Sequence, residues 1–223
     1  IAPAYLDDQL DRSLENLGVD TVDLYYVHNP ETQLQDNPRD AVYDQLEDAF
    51  TRLEQRAAAG DLRYYGVATW DALRVPADDD SYLALPEVVS RARAAADRAG
   101  TDSTHLRAVQ LPFNVFMADA FTVESHAGAD GPQSALWFAN DAGLDVFTSA
   151  SLGQGALASD LPAAVAETVA GDTPAQKALN FARSAPAVTA ALVGSGRPAH
   201  VRENLAAGTF DPLGARAFDA TFT

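Results

Sequence analysis

The histidines are the side chains best suited to chemistry in this 223-residue chain, which has no cysteine. The spacing of His28, His105, His126 and His200 matches no metal-ligand pattern, so we expect no metal site. His28 ends a run of β-branched and aromatic residues and precedes Asn29-Pro30, a pair that stops a strand. A histidine at a strand end can donate a hydrogen bond or exchange a proton. The alternative is a half-buried imidazole satisfied by the backbone.

A glycine-rich turn before a helix is the second candidate site. Gly194, Ser195 and Gly196 precede a helical pattern that starts near Pro198. Backbone N–H groups and the positive end of a helix favour phosphate binding at such a turn. Turns need glycine in any case, so this motif alone is weak.

Strand and helix patterns alternate along the chain and must position these residues. Strands are predicted at 21–28, 62–69, 106–114, 144–151 and 188–195, and helices at 4–17, 39–59, 85–100, 133–143, 173–184 and 198–208. This alternation predicts a parallel α/β sheet with helices outside. The segments 70–82 and 115–132 are long connections that follow strands, where active-site loops of a barrel lie.

Composition limits the possible functions. With 47% hydrophobic and 21% charged residues, the chain suits one globular domain, and a net charge of −17 argues against nucleic acid or an anionic membrane as partner. We find neither a membrane-spanning run nor a signal-peptide pattern and expect a cytoplasmic protein. Aspartate exceeds glutamate, and Lys177 is the only lysine. This acidic surface favours a halophilic protein; the alternative is an acidic mesophilic protein from a GC-rich genome.

Five motifs occur in order at the predicted strand ends. They are SLENLGVDTVDLYYVHNP (13–30), GDLRYYGVATW (60–70), AVQLPFN (108–114), VFTSASLGQGAL (146–157) and VTAALVGSGRPAHVRENLAA (188–207). Together they resemble the fourth to eighth strand regions of the aldo-keto reductases, in particular the branch with HNPE, GVATW, QLPFN and SASLxQG motifs. The resemblance implies a (β/α)8 TIM barrel of which residues 1–223 form the C-terminal portion of a single domain, with five of eight βα units.

The resemblance also implies catalytic and cofactor roles. His28 corresponds to the histidine that orients the substrate carbonyl. The expected nicotinamide-nucleotide contacts are Thr69, Gln110, Ser149, Leu152, Gly194, Ser195, Gly196, His200, Glu203 and Asn204. His200 replaces the basic residue that usually holds the 2′-phosphate, and Arg197 and Arg202 lie nearby as substitutes. By the habit of the family NADP is preferred, with NAD as the alternative.

The substrate implied by the family is an aldehyde, a ketone or a sugar-derived carbonyl. We expect its pocket to include Trp70, Phe113 and Asn114, and the long loops (Trp70, Val75, Tyr82, Phe116, Met117 and Phe121) predict a partly apolar pocket. The family's catalytic aspartate, tyrosine and lysine would lie in strands one to three, before Ile1. The chain alone would then be an inactive fragment whose partner is the missing N-terminal segment.

Two other functions remain open at this point. One is a non-catalytic regulatory or sensor protein that binds nicotinamide nucleotide on the same barrel. The other is a binding module unrelated to redox chemistry, since a fold does not fix a function.

Overall fold

The computed structural model describes residues 1–222 of the chain. The strands are β1 (Val22–His28), β2 (Leu62–Ala68), β3 (Leu106–Pro112), β4 (His126–Gly128), β5 (Gly131–Gln133), β6 (Asp145–Ser149) and β7 (Val188–Ala191). The helices are α1 (Pro3–Leu17), α2 (Arg39–Ala59), α3 (Leu85–Ala99), α4 (Asp119–Thr122), α5 (Ala135–Asp141), α6 (Ala163–Thr168), α7 (Pro174–Ser184), α8 (Pro198–Ala206) and α9 (Ala215–Asp219). Short 3₁₀ segments occupy Pro30–Gln35, Gly153–Ala158, Ala207–Thr209 and Ala220–Phe222.

The main sheet has the order β1-β2-β3-β6-β7, and every neighbouring pair is parallel. Spatial order therefore follows chain order, as in a barrel that grows one βα unit at a time. This confirms the predicted α/β fold class, a partial TIM-type barrel. The first strand ends at His28 as predicted, and the other four strands of this sheet end before their predicted C-terminal residues because the chain turns away there.

The long connection 115–132 contains structure that the sequence did not predict. It forms the short helix α4 and an antiparallel pair, β4 with β5, joined through Gly128 and Gly131. Three-residue strands are too short to show a recognisable alternation. The hairpin covers α3 and α5, and its first residue, His126, is fully buried.

The two faces of the main sheet differ in burial. Side chains of one face pack against the helices and are buried: Val27, Tyr65, Val67, Val109, Leu111 and Val146. The other face carries Tyr26 of β1 and Phe147 of β6, whose ring centroids are 6.5 Å apart. Those strands are three spacings apart, about 14 Å in a flat sheet. The sheet is therefore strongly curved, and this second face is its concave inner face.

Gly66 allows the close packing of the inner face. A Cβ at this position would lie 2.5 Å from the Ala108 carbonyl oxygen and 2.7 Å from the Tyr26 ring.

Burial raises the pKa of Tyr26, and the charge of Asp145 adds to this effect. The phenol therefore stays protonated across the physiological range.

A buried carboxylate ties α2 to the start of β3. Glu54 is fully buried, and its Oε1 accepts hydrogen bonds from the Tyr65 hydroxyl (2.9 Å), the Thr104 hydroxyl (2.9 Å) and the His105 backbone N–H (2.8 Å). These donors offset the cost of burying the carboxylate. The cluster lies at the opposite end of the strands from His28 and thus stabilises the fold.

Within residues 1–222, no helix combines the length and the apolar character needed to cross a membrane.

Candidate functional site

Candidate residues come together where the parallel strands end. In the register of the sheet His28 pairs with Ala68, Ala68 with Gln110, and Gln110 with Phe147. His28 and Gln110 are thus two strand spacings apart, about 10 Å. His28 is exposed, and Gln110 is partly exposed on the same concave face. Both side chains can therefore reach a ligand at this end of the sheet.

Strained backbone occurs at the same edge. Asn29 follows His28 with φ 48°, Ala150 follows Ser149 with φ 52°, and Gln154 lies nearby with φ 56°. Residues other than glycine avoid this left-handed region, and such strain often marks functional sites. The Asn29 backbone N–H donates to the Ala68 carbonyl at 2.6 Å, which fixes the turn beside His28.

A cavity of about 500 Å³, here called the β7–α8 cavity, lies between the turn after β6 and helix α8. Six of the ten predicted nucleotide-contacting residues line it: Leu152, Gly194, Ser195, His200, Glu203 and Asn204. The Asn204 amide donates to the Ser195 hydroxyl at 2.8 Å, so the helix and the glycine-rich turn are held together. Gln154 and Gly155 also line the cavity and were not predicted as site residues. The turn Gly153-Gln154-Gly155 lies within the motif at 146–157, and its two glycines are the sequence signal that could have indicated a ligand-binding turn.

A second, smaller cavity of about 380 Å³ adjoins the first at the N-terminus of α8. Ser195, Gly196, Arg197 and Arg202 line it. Neither arginine forms an ion pair within residues 1–222, whereas Arg56, Arg74, Arg91 and Arg98 each bind two or more carboxylates. Both arginines are exposed beside Gly196, where their guanidinium groups can contact an external anion.

A third cavity, here called the loop cavity, opens between the segments that follow β1 and β2. Its volume is about 800 Å³, and it is lined by Asn29, Glu31, Thr32, Leu34, Gln35, Asn37, Arg39, Trp70, Asp71, Asp80 and Ser81. Trp70, predicted as a pocket residue, presents a side chain that is 40% exposed. Asn29 connects this cavity to His28, its neighbour in the chain.

Two predicted pocket residues line none of these cavities, and their role stays a prediction. Phe113 is fully buried and stacks on Phe181 of α7, with 6.0 Å between ring centroids. Asn114 is 1% exposed. Its amide donates to the Ala150 carbonyl and accepts from the backbone N–H of Phe116. Asn114 therefore holds the loop after β3 through these bonds.

Only some of the aromatic residues predicted to shape the pocket lie at the loop cavity. Tyr82 is buried and stacks on His126, and Phe121 packs edge-on against Phe218, so both belong to the core beneath the loops. Trp70 and Leu34 line the cavity beside polar side chains, so the cavity is partly apolar.

Three predicted cofactor residues line none of these cavities. Gln110 and Ser149 are partly exposed at the ends of β3 and β6. Thr69 is buried, and its hydroxyl has no hydrogen-bond partner in the described part of the chain. Their roles stay predictions that rest on the resemblance.

Comparison with known proteins gives one family match and several similar solved structures. Residues 1–77 match the model of the aldo/keto reductase family. No curated protein matches. The family match supports the predicted resemblance over residues 1–77, and the solved structures described next show the fold of the chain.

The solved structures match nearly the whole chain. The holo form of aldo-keto reductase AKR11C1 from Bacillus halodurans is similar, with 17% identity, a TM-score of 0.67, and coverage of 99% of this chain and 67% of that one. The thermostable aldo-keto reductase Tm1743, solved with the inhibitor epalrestat, gives 19% identity, a TM-score of 0.65 and coverage of 99% and 66%. The apo form of AKR11C1 is 18% identical, with a TM-score of 0.65 and coverage of 100% of this chain and 68% of that one. The chain thus spans about two thirds of the length of these structures.

Proposed function

We propose that this chain, which has the aldo-keto reductase fold throughout and matches that family over residues 1–77, forms part of an oxidoreductase that reduces an aldehyde, a ketone or a sugar-derived carbonyl with NAD(P)H. The observation that carries the proposal is the gathering of six predicted nucleotide-contacting residues around one cavity at the end of β7. These residues come from two separate motifs of the chain, and folding brings them together.

The residues of the β7–α8 cavity suit a nucleotide. Backbone N–H groups at the start of α8 and around Gly194 can bind the pyrophosphate, aided by the positive end of the helix. Glu203 and Asn204 lie on the same helix and can contact the adenine. When bound, the nicotinamide ring supplies the hydride.

The residues at the strand ends orient the reacting groups. Gln110 can hold the nicotinamide carboxamide on the concave face, two strands from His28. Thr69 and Ser149 flank that position. The His28 imidazole can donate a hydrogen bond to the carbonyl oxygen, where negative charge develops in the transition state. His28 would thus polarise the substrate.

NADP is the preferred cofactor in this proposal. Arg197 and Arg202 lie beside Gly196 without carboxylate partners within residues 1–222, and His200 lines the adjoining cavity. A 2′-phosphate would provide the anion that the two arginines lack. NADH would leave them unpaired.

Further βα units of the same protein would complete the barrel. The main sheet ends at β1 on one side and at β7 on the other, and Leu192, just after β7, is 42% exposed. Further strands would pair these two edges and reduce the exposed apolar surface. We place the catalytic aspartate, tyrosine and lysine of the family in those units. The reading frame upstream of Ile1 tests this part of the proposal.

Nucleotide binding tests the proposal on the purified protein. Calorimetric titration should show saturable binding of NADPH, about tenfold or more tighter than NADH. Asn204→Ala breaks the contact with Ser195 and should weaken NADPH binding about tenfold. Asn140→Ala, on the exposed face of α5, is the matched control and should leave affinity unchanged. If neither nucleotide binds, the proposal is wrong.

A further inference from the structure

The turn of the β4–β5 hairpin contains a pair of residues that can react with each other. Asp130 is followed by Gly131, and no other aspartate or asparagine of the chain precedes a glycine. The carboxyl carbon of an aspartate side chain can close a five-membered ring with the backbone nitrogen of the next residue. A side chain on that next residue hinders the approach of the two atoms, and glycine has none. Asp130 is therefore the aspartate of this chain best suited to react with its own backbone.

The structure leaves both reacting groups free. Asp130 is exposed, and its carboxylate forms no hydrogen bond or ion pair within residues 1–222. A Cβ at Gly131 would meet no atom within 4 Å, so the space around this glycine is open. The nearby Asp141 differs, since its carboxylate accepts a hydrogen bond from the Gln133 amide at 2.7 Å. No group of the described residues holds the Asp130 carboxylate away from the backbone.

The turn can also reach the geometry that ring closure needs. It has only two residues, Ala129 and Asp130, and the hairpin has three residue pairs, the last of which is Gly128 with Gly131. So short a two-stranded hairpin is marginally stable, and its end opens locally while the rest of the protein stays folded. Gly131 has φ 135°, a conformation that favours glycine, and glycine moves between conformations more freely than other residues. Opening of the turn therefore brings the Gly131 nitrogen to the Asp130 carboxyl group.

We propose that Asp130 is a modification site, at which aspartate isomerises spontaneously to isoaspartate. The Gly131 nitrogen attacks the protonated carboxyl group of Asp130. The N–Cγ bond forms, the C–O bond of the carboxyl group breaks, and the hydroxyl group leaves with the amide proton as water. Water then adds to the main-chain carbonyl carbon of the resulting succinimide and breaks its bond to nitrogen, which gives isoaspartate. The water lost in the first step is regained in the second, so the reaction needs no oxidant, reductant or further reactant.

Isomerisation changes the path of the backbone at the turn. The chain through an isoaspartyl residue runs along the side-chain methylene, so the turn gains one backbone carbon, and the former main-chain carbonyl becomes a free carboxylate. The pairing of Gly128 with Gly131 depends on a turn of two ordinary residues. The additional atom therefore disrupts the hairpin from its tip.

The hairpin connects this change to the loops of the candidate site. Its first residue, His126, is fully buried, and the His126 Nε2 donates to the Leu73 carbonyl at 2.9 Å. Leu73 belongs to the segment after β2, which also carries Trp70 at the loop cavity. Disruption of the hairpin would loosen this contact. Asp130 itself lines none of the cavities described above, so its modification would act on the site indirectly.

Ageing of the native protein in water labelled with heavy oxygen tests the modification site. Ring opening incorporates one oxygen atom of the solvent, so mass spectrometry of peptides locates the reacted residue. We expect most of the label at Asp130, together with resistance to a protease that cleaves before aspartate but not before isoaspartate. Asp80 and Asp102 are internal controls, since both are exposed and precede a serine. Isoaspartate that is absent, or no more abundant at Asp130 than at these two residues, would overturn the proposal.

The variant Asp130→Glu separates isomerisation from other effects of ageing. Its longer side chain would have to close a six-membered ring, which forms far more slowly, while the charge of the turn is kept. The variant should lose almost all of the label at position 130 at an unchanged melting temperature, because the native carboxylate makes no contact within residues 1–222. Asp102→Glu is the matched control and should keep the label at Asp130. Equal labelling at position 130 in the native protein and in Asp130→Glu would overturn the proposal.

Hydrogen exchange measures the structural consequence and does not depend on nucleotide binding. After ageing, the backbone amides of 126–133 should exchange faster in the native protein, because the disrupted hairpin opens more often. The variant Asp130→Glu, aged for the same time, should keep its original exchange rates. Faster exchange in both proteins, or in neither, would overturn the link between the modification and the hairpin.

Discussion

The four histidines occupy very different environments, although the sequence shows them as equivalent side chains. His28 lies exposed at a strand end, whereas His126 is fully buried beneath the loop after β3. The Nδ1 of His126 accepts from the Leu85 backbone N–H at 3.2 Å, and its Nε2 donates to the Leu73 carbonyl at 2.9 Å. This pair of bonds requires the neutral imidazole. Environment therefore separates a candidate catalytic histidine from a structural one.

Protonation of His126 should destabilise the fold. Burial lowers the pKa of His126 below its ordinary value of about 6.5. The unfolded chain therefore binds a proton that the folded chain does not, between its lowered pKa and about pH 6.5. As pH falls through that window, the free energy of unfolding should decrease by up to about 1.4 kcal/mol per pH unit.

Urea unfolding at pH 7.5, 6.5 and 5.5 measures this loss. The variant His126→Gln, which cannot titrate, should be less stable than the native protein at pH 7.5. The difference between the two should shrink as the pH falls. Parallel stability profiles would show that His126 does not titrate in this range.

At the scale of elements, the sequence predicts the order of strands and helices well. It predicts only in part which side chains of a strand face the site. The period-two rule places Gln110 and Phe113, three residues apart, on opposite faces of the predicted strand 106–114. The sequence thus contained the signal that Phe113 faces the helices, and the structure bears this out. Asn114 lies beyond the strand, where hydrogen bonding within the turn decides its orientation. The hydrophobic periodicity of a sequence does not predict hydrogen bonds within a turn.

The loop cavity could not be predicted from the sequence. The contact between Glu31 and the Trp70 backbone joins residues 39 positions apart in two irregular segments. The aromatic residues of the long loops predict a partly apolar pocket, but exposed and core aromatic residues look alike in sequence. Folding places Tyr82 and Phe121 in the core and leaves Trp70 at the cavity with the polar residues. In contrast, the contacts of α8 could be predicted because its glycine-rich turn and helix are contiguous in the chain.

The packing of β1, β2 and β3 makes Gly66 a sensitive position. In Gly66→Ala the new methyl would meet the Ala108 carbonyl and the Tyr26 ring at distances that require the strands to move apart. We expect a loss of about 1–3 kcal/mol in the free energy of unfolding. Gly208→Ala is the control, since nothing lies within 4 Å of its Cβ. Urea unfolding of both variants gives the comparison, and equal stability would show that the inner face is loosely packed.

At the scale of the whole molecule, charge is organised around arginine. Arg91 binds Asp44, Glu47 and Glu87, and Arg56 binds three aspartates. Exposed ion pairs of this kind contribute little individually, while the net charge of −17 opposes compaction of the chain. Repulsion that salt can screen is therefore the larger electrostatic effect on stability.

We propose on this basis that the protein is adapted to high salt, with a stability that rises with ionic strength. The screening length falls from about 10 Å at 0.1 M to about 3 Å at 1 M salt, which removes most repulsion between exposed carboxylates. The melting temperature should rise when KCl is increased from 0.1 M to 2 M, with most of the gain below 1 M. Sucrose stabilises by exclusion from the surface and does not screen charge, so it should give no comparable early rise. If the melting temperature stays constant or falls as KCl is added, the protein is an ordinary acidic protein. In that case the stabilisation by ion pairs, which salt weakens, is at least as large as the repulsion between carboxylates.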